Sequence, residues 1–300
     1  MTVLTQVLQL FMLAAVGFLM VKLKLWNDST LAALTSLIVR VASPCMTFSK
    51  LERMAPGQIA GAWGLTFLLS MPLVAVLLGL GFLLFRKQPY DKRAVYAQTV
   101  ALSNCGFVGY PVIEAALGPQ AVVYGVAFCT AFNVISWSVG VALFSGDFKK
   151  GLRHIVNPTM ASIVLGLLFQ LIGLKLPQLV SNTVETLGNL ATPVSMLIAG
   201  AYLEKVTRAL MKDARFWLSC LLRLTATPLL VLGLIRLLGF GGDPAGAVFI
   251  CCAMPGSSNM LVQASAYSTV RAREQAVGAV AVTTVLSVVT IPLILSLLGR

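Results

Sequence analysis

The sequence predicts an all-α integral membrane protein, and two observations carry that prediction. Of the 300 residues, 58% are hydrophobic and only 11% are charged, whereas ordinary globular domains contain roughly 45–50% and about 25%. The mean hydropathy is +0.91. A soluble fold needs more charged residues than this to cover its surface, so the composition excludes a soluble enzyme.

Ten apolar stretches have about the length that a helix needs to cross a bilayer. The predicted spans are 4–21, 29–49, 58–85, 94–116, 119–144, 157–174, 179–203, 214–238, 244–267 and 274–298. Short connections with turn residues separate them. Asn157 and Pro158 are typical of a helix start, with proline in the first turn. The ten spans leave no room for a domain outside the membrane.

The positions of Lys and Arg predict the orientation in the membrane. The net charge is +12, but the basic residues cluster in short connections, so they indicate topology and not nucleic-acid binding. One face receives Lys22, Lys24, Arg86, Lys87, Lys92, Arg93, Lys149, Lys150, Arg153, Lys205, Arg208, Lys212, Arg215, Arg271 and Arg273, and the other receives Lys50, Arg53, Lys175, Arg236 and Arg300. The richer face is predicted to be cytoplasmic, which places both termini outside the cytoplasmic (inner) membrane.

The two halves of the chain correspond as an internal repeat. Pro44 in span two and Pro193 in span seven are 149 residues apart, and the same offset relates Cys105 in span four to Met254 in span nine. We expect residues 1–147 to form a first five-helix repeat, 148–156 a short basic cytoplasmic connection, and 157–300 a second repeat. Because five is odd, the second repeat is inverted in the membrane. Inverted repeats with paired broken helices indicate a secondary transporter.

Spans four and nine each contain a cluster of helix-breaking residues. The clusters are Ser103-Asn-Cys-Gly-Phe-Val-Gly-Tyr-Pro111 and Ala253-Met-Pro-Gly-Ser-Ser-Asn259. If both unwind at the bilayer centre, free N–H groups at the positive ends of the following half-helices suit a carboxylate. The predicted binding residues are Asn104, Cys105, Gly106, Gly109, Pro111, Pro255, Gly256, Ser257, Ser258 and Asn259. The alternative is that both clusters are simple kinks, which are common where Gly and Pro enter membrane helices.

Four further residues have candidate supporting roles. Pro44 and Pro193 are expected to shape the helices that flank the crossover of the two broken helices. Arg40 and Arg223 are intramembrane cations, for which a role in anion binding or conformational coupling competes with that of a structural cation satisfied by carbonyls or a carboxylate. No acid lies in either break, so the sequence leaves a proton, a sodium ion or no coupling ion as alternatives. We expect no metal and no cofactor.

At these residues the sequence resembles the auxin efflux carrier family, whose bacterial members are often labelled malonate or malate permeases. The specific element is Asn104-x-Gly106-Phe107-x-Gly109-x-Pro111, supported by Pro44-x-x-x-Phe48-x-x-Leu51 and Thr192-Pro193-Val-Ser-Met196. The resemblance implies ten helices in two inverted five-helix repeats with helices four and nine broken and crossing, as in bile-acid symporters and sodium/proton antiporters. It also implies transport of small organic anions. The long central loop of the plant members is missing, so nothing supports auxin as the substrate.

The function expected from the sequence is therefore secondary active transport of small organic anions, such as mono- or dicarboxylates, by alternating access. An anion channel and a membrane sensor that transports nothing are the alternatives. A membrane enzyme is disfavoured because only ten acids are present and His154 is the single histidine. The expected partners are the organic anion and the lipid bilayer. The oligomeric state stays open, with a homodimer among the alternatives, and no nucleic acid is expected.

Overall fold

The computed structural model describes residues 2–54, 59–147, 149 and 156–298. Within these ranges the regular structure is helical, apart from one isolated β-bridge. The helices are, in chain order, α1 (Val3–Lys22), α2 (Asp28–Glu52), α3 (Gly61–Leu84), α4 (Tyr90–Ala101), α5 (Gly109–Leu117), α6 (Pro119–Ser145), α7 (Pro158–Ile172), α8 (Gln178–Lys205), α9 (Arg208–Met211), α10 (Ala214–Leu237), α11 (Gly242–Ala253), α12 (Ser258–Tyr267) and α13 (Val270–Leu298).

Seven of the described helices are long and apolar enough to cross a membrane: α1, α2, α3, α6, α8, α10 and α13. The other three expected spans have shorter helices. The stretch 157–174 contains the 15-residue α7, while 94–116 is divided between α4 and α5 and 244–267 between α11 and α12. A half-helix of 12 residues reaches only about 18 Å, too short for the hydrocarbon core. The all-helical membrane class is confirmed, whereas ten crossings and their inverted symmetry stay predictions.

Side-chain caps fix several helix starts that the sequence indicates. The Asn157 side chain accepts a hydrogen bond from the backbone N–H of Met160 at 3.0 Å, and Pro158 follows in the first turn. Asn27 caps α2 in the same way through the N–H of Thr30. These caps satisfy N–H groups that have no partner within the helix. The predicted basic connection 148–156 lies almost entirely outside the described residues.

Two helices widen locally where the sequence places an intramembrane arginine. The π-helical turns are Ile38–Ala42 in α2 and Leu222–Ala226 in α10. Arg40 lies in the first and Arg223 in the second, and Pro44 and Pro228 follow them. Proline has no N–H to donate and crowds the carbonyl four residues earlier, so a wider turn relieves the contact. The helices therefore continue through both prolines.

Small residues let α8 approach its neighbours closely. A Cβ atom on Gly200 would lie 1.7 Å from the carbonyl oxygen of Ala14, and one on Gly17 would lie 1.9 Å from that of Leu197. Backbone-to-backbone approach at glycine is typical of helix packing in membranes. The α1–α8 contact therefore requires glycine at both positions.

The interrupted helices occupy the centre of the bundle. Every residue from Ala94 to Ala101 in α4 and from Ala245 to Ala253 in α11 is buried. In contrast, α3 exposes large apolar side chains such as Leu68 and Leu83. Non-helical backbone is tolerated at membrane depth only where protein or a water-filled cavity surrounds it. The central position of α4 and α11 meets that requirement.

Candidate functional site

The interruptions of the two broken helices are hydrogen bonded to each other. The N–H of Asn104 donates to the carbonyl of Pro255 at 2.7 Å, and the N–H of Ser257 donates to the carbonyl of Leu102 at 3.0 Å. Between these bonds, Ser103 and Gly256 form an antiparallel bridge. Backbone groups freed by the breaks would be costly without partners. The pairing supplies those partners and brings the two breaks together.

A third helix holds the second break in place. The N–H of Gly256 donates to the Thr283 hydroxyl of α13 at 3.0 Å, and that hydroxyl donates to the carbonyl of Ala279 at 2.6 Å. A Cβ on Gly256 would lie 3.1 Å from the same hydroxyl oxygen. The close approach of this backbone to α13 therefore favours glycine.

A small polar cavity of about 20 Å³ lies at the meeting point of the breaks. Its polar lining side chains are Ser43 and Thr47 of α2, Ser103 and Asn104 of the first break, Asn133 of α6, and Ser257 and Asn259 of the second break and α12. Cys105 and Gly106 complete the wall on the side of the first break. A cavity of this size holds about one water molecule. The described conformation is therefore closed around the crossover.

Two buried polar side chains at this cavity lack a partner. The amide nitrogen of Asn104 and the hydroxyl of Ser103 form no hydrogen bond with any described residue. Because Asn104 is only 3% exposed, bulk solvent does not satisfy its amide either. An unsatisfied buried polar group costs about 1–3 kcal/mol. A ligand with acceptor oxygens would recover that cost. The other predicted amide differs, since the Asn259 amide nitrogen donates to the Asn133 side-chain oxygen at 3.2 Å.

Arg223 is fully buried and bound to the carboxyl ends of both half-helices that precede the breaks. Its guanidinium donates to the carbonyl of Val100 in α4 at 3.0 Å and to the carbonyl of Cys252 in α11. Thr227, one turn later in α10, donates to the same Val100 carbonyl at 3.2 Å. The guanidinium thus lies at the negative ends of two helix dipoles. Of the alternatives expected for Arg223, its partners fit a structural cation that backbone carbonyls satisfy.

Arg40 occupies a different place. It is exposed and lines a cavity of about 450 Å³ together with Lys205, Arg273 and Asp28. Asp28 forms an ion pair with Lys205, whereas Arg40 has no hydrogen bond or ion pair to another part of the described chain. Three cations against one acid make this cavity electropositive. It opens on the face that carries most of the basic connections.

A narrow cavity of about 30 Å³ lies between this entrance cavity and the crossover cavity. Tyr202 and Leu261 line both the entrance cavity and the narrow one. Phe107 and Asn259 line both the narrow cavity and the crossover cavity. Ser258 lies in the wall of the narrow cavity. The three cavities are therefore adjacent to one another, and the two smaller ones lie nearest the crossover.

A separate cavity of about 290 Å³ lies toward the opposite face and includes Lys50, Arg53 and Glu185 in its wall. Arg53 and Glu185 form an ion pair of 2.6 Å that joins the end of α2 to α8. Val126 lines this cavity and Cys129, one turn further along α6, lines the crossover cavity. The crossover thus lies between two larger cavities.

The remaining predicted residues do not line the crossover cavity. Pro255 and Gly256 contribute backbone groups to the paired breaks. Gly109 and Pro111 lie in the first turn of α5 and are not part of the wall of the crossover cavity. Pro44 and Pro193 lie within α2 and α8. A Cβ on Gly188 of α8 would lie 2.7 Å from the backbone of Met46 in α2, so these proline-containing helices touch beside the crossover.

Sequence reasoning missed five residues of the site, which are Ser43, Thr47, Ser103, Asn133 and Thr283. Asn133 had a detectable signal, because an amide within the apolar stretch of α6 needs a polar partner. Ser103 opens the first glycine-rich cluster and was predicted only as part of the break. Thr283 lies on the long helix α13, and nothing in the sequence marks it as different from its neighbours Thr284 and Ser287.

In this apolar helical bundle two interrupted helices meet at a polar centre between cavities. That arrangement is typical of membrane transport proteins. The family model described as "Membrane transport protein" matches residues 2–152 and 147–295. The chain belongs to this family, and the match confirms the resemblance to auxin efflux carriers. It is also 26% identical to an "Uncharacterized transporter" of Methanothermobacter thermautotrophicus, in an alignment that covers 96% of this chain and 95% of that protein. The chain is therefore a multi-pass membrane transporter.

Proposed function

We propose that the protein is a secondary active carrier of small organic anions, such as mono- or dicarboxylates, and that the anion binds where the two broken helices meet. The observation that carries the proposal is the unpartnered, buried amide nitrogen of Asn104. It lies in the wall of the crossover cavity, next to the amino-terminal start of α12 at Ser258. An N–H donor beside a positive helix end favours a carboxylate.

The charges of the two larger cavities support an anionic substrate. Arg40, Lys205 and Arg273 line the cavity on one side of the crossover, and Lys50 and Arg53 line the cavity on the other. Each of these cavities contains one acid, which is already paired with a base. A cleft lined mainly by one sign of charge raises the local concentration of the opposite ion. Both approaches to the crossover therefore favour anions.

The arrangement of the cavities favours a carrier over a channel. Cavities of about 450 and 290 Å³ lie on either side of a crossover cavity of about 20 Å³. A central site closed between two entrances suits alternating access, in which one repeat moves against the other around a fixed site. We assign the larger, more basic entrance to the cytoplasmic face of the inner membrane, with both termini outside.

Counterflow in proteoliposomes tests this proposal. Purified protein is reconstituted into liposomes loaded with unlabelled malonate, a small dicarboxylate, and labelled malonate is added outside at trace concentration. A carrier accumulates the label transiently above equilibrium, and an excess of other carboxylates on the outside competes with it. When equal potassium on both sides and valinomycin hold the membrane potential at zero, a channel dissipates the gradient without this overshoot. Protein that is folded and correctly inserted but neither binds nor moves any of a panel of mono- and dicarboxylates would refute the proposal.

A further inference from the structure

The carboxyl ends of α4 and α11 converge on one positive charge. Arg223 contacts the carbonyl of Val100 near the end of α4 and that of Cys252 near the end of α11. It is fully buried, and its Nε atom has no hydrogen-bond partner in the described chain. Each helix carboxyl end carries about half a negative charge. Two such ends balance about one positive charge, so the guanidinium needs no carboxylate, and none of the described ion pairs includes it.

In carriers with broken helices, the carboxyl ends of half-helices and their unwound carbonyls are where a coupling cation binds. In this chain a side chain already occupies that place. We infer that Arg223 is a tethered cation that replaces a free coupling cation at the crossover, so that anion transport proceeds without sodium. This inference deepens the proposed function and rests on it.

The position of Arg223 in the chain gives it a mechanical consequence as well. The guanidinium belongs to α10, whereas both carbonyls belong to the interrupted helices, and Thr227 adds a second bond from α10 to the Val100 carbonyl. Arg223 lies in the π-helical turn Leu222–Ala226 of α10. Any movement of α10 against the crossover must therefore break these bonds or carry both half-helices with it. Arg223 is a positioning residue, because it acts on the backbone that frames the site.

Chemical rescue tests the inference in purified full-length protein. Arg223→Ala removes the cation and leaves a space that a free guanidinium ion fits. We expect a lower thermal midpoint in detergent and malonate counterflow reduced by about ten-fold or more, the effect of a lost charge-assisted hydrogen bond. Low-millimolar guanidinium chloride should raise the midpoint of Arg223→Ala and restore its counterflow, relative to sodium chloride at equal ionic strength. The wild type and Arg215→Ala, which loses an exposed arginine on the same helix, should show neither effect.

A second pair of variants separates charge from packing. Arg223→Lys keeps the positive charge. Arg223→Met removes the charge and fills part of the space with an unbranched apolar side chain. The inference predicts that the lysine variant retains most of the counterflow while the folded methionine variant loses it. It also predicts equal wild-type rates in sodium and in choline buffers. A methionine variant as active and stable as the wild type, or a wild type that requires sodium, overturns the inference.

The two proposals fail in distinguishable ways. If wild-type protein moves no carboxylate, the proposed function fails. Guanidinium-dependent stabilisation of Arg223→Ala still tests whether a cation is bound between the carboxyl ends of α4 and α11. If Arg223→Ala does not survive purification, the lysine and methionine variants decide it through their thermal midpoints and rates. If the wild type shows counterflow but guanidinium does not rescue Arg223→Ala and the lysine and methionine variants behave alike, the tethered cation is refuted and the proposed function is not.

Discussion

The backbone N–H of Asn104 donates to the carbonyl oxygen of Pro255 at 2.7 Å, across 151 positions of the sequence. This bond joins the break between α4 and α5 to the break between α11 and α12. The side chain of Asn104 is left without a partner among the described residues. The backbone of this residue thus holds the crossover together while its amide is available to a ligand.

The space around Gly106 predicts a graded response to larger side chains. A Cβ at this position would be 3.5 Å from both the Cys129 sulfur and the Met46 methyl carbon, which is ordinary contact. We therefore expect Gly106→Ala to retain most of the malonate counterflow. Gly106→Leu should abolish it, because the longer side chain must enter the crossover cavity. Equal activity of the two variants at equal expression would show that this cavity is not the binding site.

The contact between α1 and α8 predicts a strong effect of a single methyl group. Gly17→Ala places a Cβ 1.9 Å from the carbonyl oxygen of Leu197, so the helices must separate, at a cost of at least about 1–3 kcal/mol. The thermal midpoint in detergent should fall clearly. Gly79→Ala in α3 is the matched control, since nothing lies within 4 Å of its added Cβ. A wild-type midpoint for Gly17→Ala would contradict the packing of these helices.

The carboxylate of Asp213 predicts a pH-dependent contribution to stability. Burial by itself raises the pKa of Asp213, but hydrogen bonds from Lys92 and Tyr96 outweigh burial and hold this pKa below its usual value. A lowered pKa stabilises the fold above the unfolded-state pKa of about 3.9, and the gain is lost as the pH falls through the folded-state pKa.

Asp213→Asn tests this, because asparagine keeps the helix cap of α10 and removes the charge. The variant should be less stable than the wild type by about 1–3 kcal/mol at neutral pH. The difference in thermal midpoint should narrow on acidification below about pH 4. A difference that is constant with pH would assign the effect to packing.

The distribution of basic residues predicts which connections a membrane-impermeant thiol reagent reaches. In a background without the native cysteines, single cysteines at Lys87 and Lys212 should resist labelling from outside intact cells, and one at Arg53 should label. All three should label after the membrane is permeabilised, which shows that the positions are reactive. Labelling of Lys87→Cys and Lys212→Cys in intact cells would reverse the orientation without affecting the site.

The sequence is informative about the breaks because their cause is local. Glycine and proline in a nine-residue apolar stretch disfavour a continuous helix whatever surrounds them, because glycine costs backbone entropy and proline lacks an N–H donor. The same reasoning locates Asn104 and Asn259. It does not distinguish the free amide of Asn104 from that of Asn259, which is bound by Asn133, because that difference depends on how α6 packs against α12.

The partners of the two arginines show the same limit. The sequence marks Arg40 and Arg223 as unusual for the same reason, a charge within an apolar span. Only the three-dimensional arrangement separates them, since Arg40 faces an open cavity and Arg223 is bound to Val100 and Cys252, on two different helices. These contacts join residues that are 123 and 29 positions apart, so packing sets them and no local pattern predicts them.

The most direct test of the central claim is the half-saturation concentration for malonate counterflow in wild type, Asn104→Ala, Asn259→Ala and Ser70→Ala. Ser70 is buried in α3 and donates to the carbonyl of Thr66, away from the crossover, so its loss controls for removal of a buried polar group. If the anion binds at the crossover, Asn104→Ala should weaken apparent affinity by about ten-fold to over a hundred-fold, as expected for a charge-assisted hydrogen bond of about 1.5–3 kcal/mol. Asn259→Ala should weaken it less, because the Asn259 amide already donates to Asn133. Ser70→Ala should match the wild type. Folded asparagine variants with wild-type affinity would contradict the claim and would make the breaks simple kinks.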